Sequence, residues 1–166
     1  MLKVLGIAGY SGSGKTTLME RMIPLLVGEG VRVSVIKHAH HAVDLDTPGK
    51  DSWRHRQAGA YEVIVASGRR WALLHELREA PEAPLSELMS RLTPCDLVLV
   101  EGFKREPIPK LEVHRTANGT APLYPDDPNV IAVCTDAVLP NAPPTFRLDD
   151  YAGVAAFIMS TLLASG

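Results

Sequence analysis

Eight residues near the amino terminus constrain this chain more than any other feature. Residues 9–16 read GYSGSGKT, the complete G-x-x-x-x-G-K-T spacing of a phosphate-binding loop, and they directly follow the apolar run of residues 4–8. In such a loop the glycines let successive backbone N–H groups point inward at a phosphate. The sequence therefore predicts a strand, a phosphate loop and a helix in that order, and a binding site for a nucleoside triphosphate.

The residue types within this loop predict separate roles. We expect Lys15 to reach the β- and γ-phosphates and to act there as a catalytic group, and the Thr16 hydroxyl to hold Mg²⁺. A glycine-rich turn that binds nothing is the alternative, but both flanking elements that the motif requires are present. The expected nucleotide contacts of this segment are Gly9, Ser11, Gly12, Ser13, Gly14, Lys15, Thr16 and Thr17.

Composition argues against several classes of protein. The formal net charge of −2 provides no basic excess for binding nucleic acid or an anionic membrane. No segment approaches about 18 uninterrupted apolar residues, so no transmembrane helix is expected. Cys95 and Cys134 stand far apart, which favours free thiols in a reducing cytoplasm over a disulfide framework.

Alternating strand-like and helix-like segments predict an α/β fold. The strand at residues 2–8, the helix that ends near residue 27 and the strand at residues 31–37 form a βαβ unit with parallel strands. We expect one P-loop NTPase domain over residues 1–166, with a mostly parallel open sheet and helices on both faces. Further strands are expected at 96–100 and 130–134, and further helices at about 50–58, 84–92 and 149–163.

Two insertions are expected to depart from the parallel pattern. Residues 61–66 and 71–77 predict an antiparallel hairpin, within an insertion of about 61–78. Residues 108–115 predict a strand at a sheet edge, within an insertion of about 106–116, because Pro109 cannot donate to a strand ladder. A loop rich in Pro, Gly, Asn and Asp follows it.

An acidic residue, Glu101, directly follows the predicted strand at 96–100, and we assign it to the nucleotide site. The carboxyl ends of parallel strands form the edge where ligands bind, so Glu101 should lie beside the phosphate loop and hold Mg²⁺ directly or through water. Gly102 would let the chain turn close to the ligand and is included among the nucleotide contacts. Asp96 lies about 16 Å away, at the opposite edge.

Three histidines in four residues follow the second strand at this same edge. Together with Asp44 or Asp46, the cluster of His38, His40 and His41 could bind zinc. The spacing fits no standard zinc pattern and no cysteine lies nearby, so the favoured interpretation is that these residues surround phosphate oxygens or pack the loop. His38 is therefore included among the nucleotide contacts.

A polar loop then carries Asp46, Lys50 and Asp51. Such a loop could close over the γ-phosphate, and Asp46 is the candidate catalytic residue that positions the attacking water. An ordinary solvated turn is an equal alternative.

A reader of the base is expected after the strand at 130–134. The guanine motif N-K-x-D is absent, but Asp136 stands at the ligand edge. An aspartate can accept hydrogen bonds from N1–H and N2–H of guanine, which adenine cannot supply. A turn or helix-capping role is the alternative.

Taken together, these motifs resemble the molybdopterin-guanine dinucleotide biosynthesis protein B family, MobB. The resemblance runs in order over nearly the whole chain and is weakest at residues 78–93 and 116–128. The stretches that carry it are GYSGSGKTTL, IKHAHHAVDLDTPGKDSWRHRQAGA, VIVASGRRWALLHEL, DLVLVEGFKREPIPKLEV and NVIAVCTD.

The resemblance implies a GTP-binding adapter that uses Mg²⁺ and is at most a weak GTPase. It implies assistance to the guanylyltransferase that joins GMP to molybdopterin, and a homodimer formed through an extended sheet. Direct contact with molybdopterin is left open, with Lys104 and Arg105 as a docking position or a plain solvated turn. The alternatives are a GTP-dependent metal-insertion chaperone and a small-molecule kinase.

Overall fold

The computed structural model describes residues 2–39 and 44–164. These residues form eight strands and four α-helices, interspersed along the chain, which confirms the predicted α/β class. The strands are β1 (Lys3–Ala8), β2 (Val33–Lys37), β3 (Glu62–Ala66), β4 (Trp71–His75), β5 (Leu97–Glu101), β6 (Lys110–His114), β7 (Val130–Thr135) and β8 (Thr145–Arg147). The helices are α1 (Lys15–Gly28), α2 (Asp51–Gln57), α3 (Leu85–Ser90) and α4 (Tyr151–Ile158), and α4 continues into a π-helical turn at Met159–Leu163.

The chain divides into two compact units. The first comprises Met1–His38 and Leu85–Gly166 and contains a six-stranded sheet in the order β2-β5-β1-β6-β7-β8, whose neighbouring strands pair in parallel. The second comprises Ala39–Pro84 and contains α2 and the β3–β4 hairpin. That hairpin is antiparallel, as predicted from the sequence.

The main core of the first unit lies on one face of the sheet. Helix α1 buries four apolar residues at spacings of three and four, which form one stripe along the helix. They are Leu18, Met19, Met22 and Leu26. This stripe packs with α4 against alternate strand residues, Leu5 and Ile7 of β1 among them. On the opposite face, α3 packs against β2 and β5 through a second buried cluster that includes Leu85. The sheet therefore has helices on both faces, as expected.

Strand β6 is not at a sheet edge, and that prediction is wrong. It pairs in parallel with β1 on one side and with β7 on the other. Pro109 comes just before the strand, where its missing N–H breaks no ladder bond, and its carbonyl accepts a hydrogen bond from Gly6 N–H at 2.8 Å. A proline before the first residue of a strand is compatible with a central position.

The helix-free face of β6 carries three buried polar side chains, Lys110, Glu112 and His114. The Lys110 ammonium lies 2.7 Å from the Asp127 carboxylate, and Glu112 accepts hydrogen bonds from two backbone N–H groups of residues 123–124. The two ring nitrogens of His114 lie 3.1 Å from a hydroxyl and a carbonyl oxygen. The loop that follows β6 thus covers this face in place of a helix.

Strand β8 was not predicted, because its three residues follow a proline-rich segment. In the part of the chain that the structure describes, no helix is long and apolar enough to cross a membrane.

Candidate nucleotide site

The phosphate loop, residues 9–16, lies between β1 and α1 at the carboxyl edge of the sheet. Its first glycine has a φ of +139°, and a Cβ there would overlap the carbonyl oxygen of Val113 in β6. Gly14 caps α1 with a φ of 103°, in the left-handed region. Glycine is therefore required at both ends of the curl, and the loop rests directly on β6.

The ammonium of Lys15 folds back over this loop. Its Nζ donates hydrogen bonds to the carbonyl oxygens of Gly9 at 3.0 Å and Tyr10 at 2.9 Å. Burial lowers the pKa of Lys15 below its usual value; nearby Glu101 opposes that shift, whereas Lys104 and Lys37 add to it. The positive side chains of Lys37 and Lys104 thus lie close enough to Lys15 to repel its charge.

Glu101 lies where the sequence places it, beside the phosphate loop. Strands β1 and β5 are neighbours, and Glu101 pairs in register with Ile7, just before the loop. The Thr16 hydroxyl lies 3.5 Å from Oε1 of Glu101, and the Lys37 ammonium lies 3.6 Å from Oε2. A hydroxyl and a carboxylate so close together are suitable oxygen ligands for Mg²⁺.

Gly102 and His38 are packed against each other at the same edge. Gly102 has a φ of +100°, and a Cβ at this position would overlap the Cβ of His38. The backbone N–H of His38 donates to the Glu101 carbonyl at 2.8 Å, and its ring lies 4.8 Å from that of Phe103. Gly102 is therefore needed for the approach of His38, while a nucleotide contact by either residue stays a prediction.

A cavity of about 640 Å³ adjoins the other side of the phosphate loop. Its lining includes Gly14 and Thr17 from the loop and first helical turn, Arg115 after β6, Asp136 after β7 and Tyr151 of α4. The cavity thus runs from the phosphate loop to the residue that the sequence singled out as a base reader, within one compact unit.

Asp136 is held by Thr116. Its Oδ1 accepts hydrogen bonds from the Thr116 backbone N–H and hydroxyl, both at 2.8 Å, and these bonds lower the pKa of the Asp136 carboxyl. Two donors fill the acceptor positions of Oδ1, so recognition of a ligand would fall to Oδ2.

Sequence reasoning missed the segment that follows β6. The Nε of Arg115 donates to the carbonyl of Ser13 at 3.4 Å, and the Nδ2 of Asn118 donates to that of Ser11 at 3.3 Å. These two residues bind the phosphate loop from outside. Residues that follow a central parallel strand lie at the carboxyl edge of the sheet, where ligands bind, and this position could have identified them. The expectation that β6 is the outermost strand of the sheet concealed it.

Comparison with known proteins agrees with this geometry. The sequence model of the family "Molybdopterin guanine dinucleotide synthesis protein B", MobB, matches residues 4–136. The chain belongs to the MobB family.

Relatives extend the match to nearly the full chain. The molybdopterin-guanine dinucleotide biosynthesis adapter protein of Escherichia coli is 43% identical over 96% of this chain and 93% of its own length. The adapter protein of Haemophilus influenzae is 50% identical over 81% of this chain and 75% of its own length. A solved crystal structure of molybdopterin-guanine biosynthesis protein B (mobB) superposes with a TM-score of 0.76, at 31% identity, over 95% of this chain and 97% of its own. These findings confirm the P-loop NTPase fold and a role in molybdenum cofactor biosynthesis.

In the second unit of this MobB-family chain, Asp46 belongs to an ion cluster. Its carboxylate accepts hydrogen bonds from the Ser52 hydroxyl at 2.7 Å, the Thr47 backbone N–H at 3.0 Å and Arg56 Nε at 3.2 Å. The Ser52 bond is the main cause that lowers the pKa of Asp46, and Arg56 adds to it. Asp46 therefore organises its own loop, and a catalytic role for it stays a prediction.

Arg56 is the centre of this cluster. It is only 11% exposed and also contacts Asp44 and Glu76 at 2.7 Å each. Those carboxylates raise the pKa of Arg56 further, with Glu76 as the largest cause. Lys50 and Asp51, at the start of α2, are exposed, and their proposed contact with nucleotide stays a prediction.

The zinc alternative depends on three histidines, of which the structure describes His38. His40 and His41 lie outside the described residues. Among residues 2–39 and 44–164, no group of three or more His, Cys, Asp and Glu side chains is arranged to hold a metal ion.

Proposed function

We propose that this chain is a GTP-binding adapter that assists the guanylylation of molybdopterin. The observation that carries the proposal is that the phosphate loop has the Thr16–Glu101 pair beside it and also adjoins a 640 Å³ cavity whose lining includes Gly14 and Asp136. We assign the metal and the terminal phosphates to the Thr16–Glu101 pair and the base to the Asp136 end of the cavity, which is the order of these groups in a nucleoside triphosphate.

Guanine fits the acceptor at the base end of the cavity. Asp136 is fixed by Thr116, and its low pKa keeps it ionised and able only to accept. Guanine presents N1–H and N2–H donors, whereas adenine presents an acceptor at N1. GTP is therefore the proposed nucleotide.

Mg²⁺ is the proposed metal, held between Thr16 and Glu101. Lys15 would then exchange its bonds with the loop carbonyls for bonds with the β- and γ-phosphates. We propose slow hydrolysis, at a rate within about a hundredfold of the 10⁻⁴–10⁻³ s⁻¹ that is typical of GTPases without an arginine at the γ-phosphate. Lys15 and Asp46 are the catalytic candidates, and the main role is that of an accessory protein.

A homodimer is proposed through the β3–β4 hairpin of the second unit. Ile64 and Leu73 are paired across this hairpin, and Ala66 with Trp71, so Ile64, Leu73 and Trp71 share one face. Ile64 and Trp71 are each 64% exposed and Leu73 is 36% exposed. Large exposed apolar side chains on a short two-stranded sheet favour a partner surface, and a second copy of this chain is the proposed partner.

Docking of the guanylyltransferase, or of the phosphate of molybdopterin, is proposed near Lys104 and Arg105. Both are exposed, and the Lys104 ammonium lies 5.2 Å from the ring centroid of Tyr10 in the phosphate loop. A partner bound here would contact the nucleotide site directly. We also propose a cytoplasmic location, which agrees with the two free cysteines.

Capture of the guanylyltransferase tests this proposal. The immobilised chain, loaded with GTP, GDP or no nucleotide, is mixed with purified guanylyltransferase, and retained protein is quantified. Retention should be strongest with GTP and should fall in a Lys104→Glu/Arg105→Glu variant. Arg21→Glu/Arg54→Glu, at exposed positions of α1 and α2, serves as the charge-matched control. Retention that depends neither on the nucleotide nor on the substitution of Lys104 and Arg105 would contradict the proposal. GTP turnover above about 1 s⁻¹ by the chain alone would contradict it as well.

A further inference from the structure

The cavity contains an arginine between the phosphate loop and the base acceptor. We propose that Arg115 binds the α-phosphate of the nucleotide, so that it recognises mono-, di- and triphosphates alike. This inference rests on the proposed guanine-nucleotide binding and adds to it a binding residue and the phosphate that it contacts.

The Arg115 guanidinium contacts the phosphate loop. Its Nε donates to the Ser13 carbonyl, and its Nη2 lies 3.4 Å from the place where a Cβ on Gly14 would stand. Gly14 is the N-cap of α1, where backbone N–H groups and the helix dipole favour an anion. Arg115 therefore lies against the loop at the point where phosphate is expected, on its cavity side.

The order of groups along the surface decides which phosphate it meets. Lys15 and the Thr16–Glu101 pair belong to the end that holds the terminal phosphates and metal. Arg115 instead lines the cavity and lies close enough to Asp136 to help lower its pKa. Only the α-phosphate and the ribose of a nucleotide lie between those two ends, and of these the α-phosphate is the anion that a guanidinium binds.

The neighbours of Arg115 hold its backbone in place. Thr116 is fixed by Asp136 through two bonds of 2.8 Å, and Asn118 donates to the Ser11 carbonyl. Within the described residues, the Ser13 carbonyl is the hydrogen-bond acceptor of the Arg115 guanidinium. Its remaining N–H donors are therefore available to a ligand in the cavity.

An arginine outside the cavity provides the matched control. Arg91, just after α3, is 57% exposed at its side chain and is paired with Glu87 at 3.3 Å. Its charge is already compensated by a neighbouring carboxylate and it does not line the cavity, so its removal should change the affinity for every ligand by less than about twofold.

Affinity for four ligands that differ only in their phosphates tests the proposal. Binding of guanosine, GMP, GDP and GTP is measured by competition calorimetry for the native chain and for Arg115→Ala, Arg115→Gln, Arg115→Lys and Arg91→Ala. Arg115→Ala and Arg115→Gln should lower the affinity for GMP, GDP and GTP by a similar factor of about tenfold or more and leave the affinity for guanosine unchanged. Arg115→Lys should recover part of the loss, because the charge is kept without the fork.

Three results would overturn the inference. An equal loss of affinity for guanosine and GMP would show that Arg115 contacts the base or maintains the shape of the pocket. A loss of affinity for GTP alone would place it at the γ-phosphate. An unchanged affinity for GMP would show that it is not part of the site. These results are distinct from failure of the proposed function, in which the native chain itself binds no guanine nucleotide. Arg115→Gln keeps the test valid if Arg115→Ala fails to fold.

Discussion

The hydroxyl of Thr16 and the carboxylate of Glu101, 85 residues apart in the chain, lie within 3.5 Å of each other. The contact exists because β1 and β5 are adjacent and parallel, so the phosphate loop and the acid emerge at the same edge. This pair is the proposed Mg²⁺ site.

Replacing Glu101 with Gln should reduce the dependence of nucleotide binding on Mg²⁺. The amide keeps the shape of the side chain but lacks the charge that a hard cation requires. Calorimetry with GTP, with Mg²⁺ and with EDTA, measures the effect. Affinity without Mg²⁺ should match that of the native chain, and a Mg²⁺ dependence equal to native would exclude Glu101 as a ligand.

Replacing Lys15 with Ala should weaken GTP binding by at least about tenfold, because charge-assisted hydrogen bonds are worth about 1.5–3 kcal/mol. The loss should be larger for GTP than for GMP, since Lys15 belongs to the terminal-phosphate end. Arg91→Ala, in an exposed pair with Glu87 on α3, is the control and should bind as the native chain does. Unchanged GTP affinity in Lys15→Ala would show that the loop is not the site.

Replacing Asp136 with Asn should shift base preference from guanine to xanthine. Xanthine has a carbonyl acceptor where guanine has the N2 donor, and the Asn amide can donate to it. The ratio of GTP to XTP affinity should fall by at least about tenfold, measured by competition against one reference nucleotide. The native chain should prefer GTP to ATP by a similar factor. A ratio that the substitution leaves unchanged would remove Asp136 from base recognition.

The two cysteines should differ in reactivity in the folded chain. Burial raises the pKa of Cys134 to about 12, so only about 10⁻⁴ of it is thiolate at pH 8. Because the pKa is raised, the thiolate fraction and the rate should rise about tenfold per pH unit above pH 8. Iodoacetamide labelling with mass spectrometry should modify half-buried Cys95 first and Cys134 only slowly. In denaturant the two rates should converge, and equal rates in the native chain would contradict the buried position of Cys134.

Replacing Asp127 with Ala should destabilise the fold by about 3 kcal/mol, since it leaves a buried charge without its partner. The Lys110 side chain is 3% exposed, and its ammonium lies 2.7 Å from Asp127. Glu87→Ala, which breaks the exposed pair with Arg91, is the control and should cost less than about 0.5 kcal/mol. Urea unfolding measures both.

A double variant isolates the cause of this loss. Adding Lys110→Met to Asp127→Ala should restore part of the stability, because an apolar side chain of similar length replaces the unpaired charge. A double variant less stable than Asp127→Ala alone would show that Lys110 contributes through something other than this pair.

Local sequence determined the phosphate loop, the parallel strands around it and the hairpin of the second unit. Residues 9–16 allow few backbone conformations, since Gly9, Gly12 and Gly14 all have a positive φ that other residues avoid. The position of Glu101 also followed, because the carboxyl end of a parallel strand defines the ligand edge whichever neighbour it has.

Only the tertiary structure decided the neighbours of β6. Local pattern cannot distinguish an edge strand from a central strand that follows a proline, because the difference lies in which distant segments supply the ladder partners. Once β6 lies between β1 and β7, Arg115 and Asn118 must emerge against the phosphate loop, and the polar face of β6 must find partners in the loop that follows. Sequence determined that this chain has a phosphate loop, whereas the order of the strands decided which side chains complete the site around it.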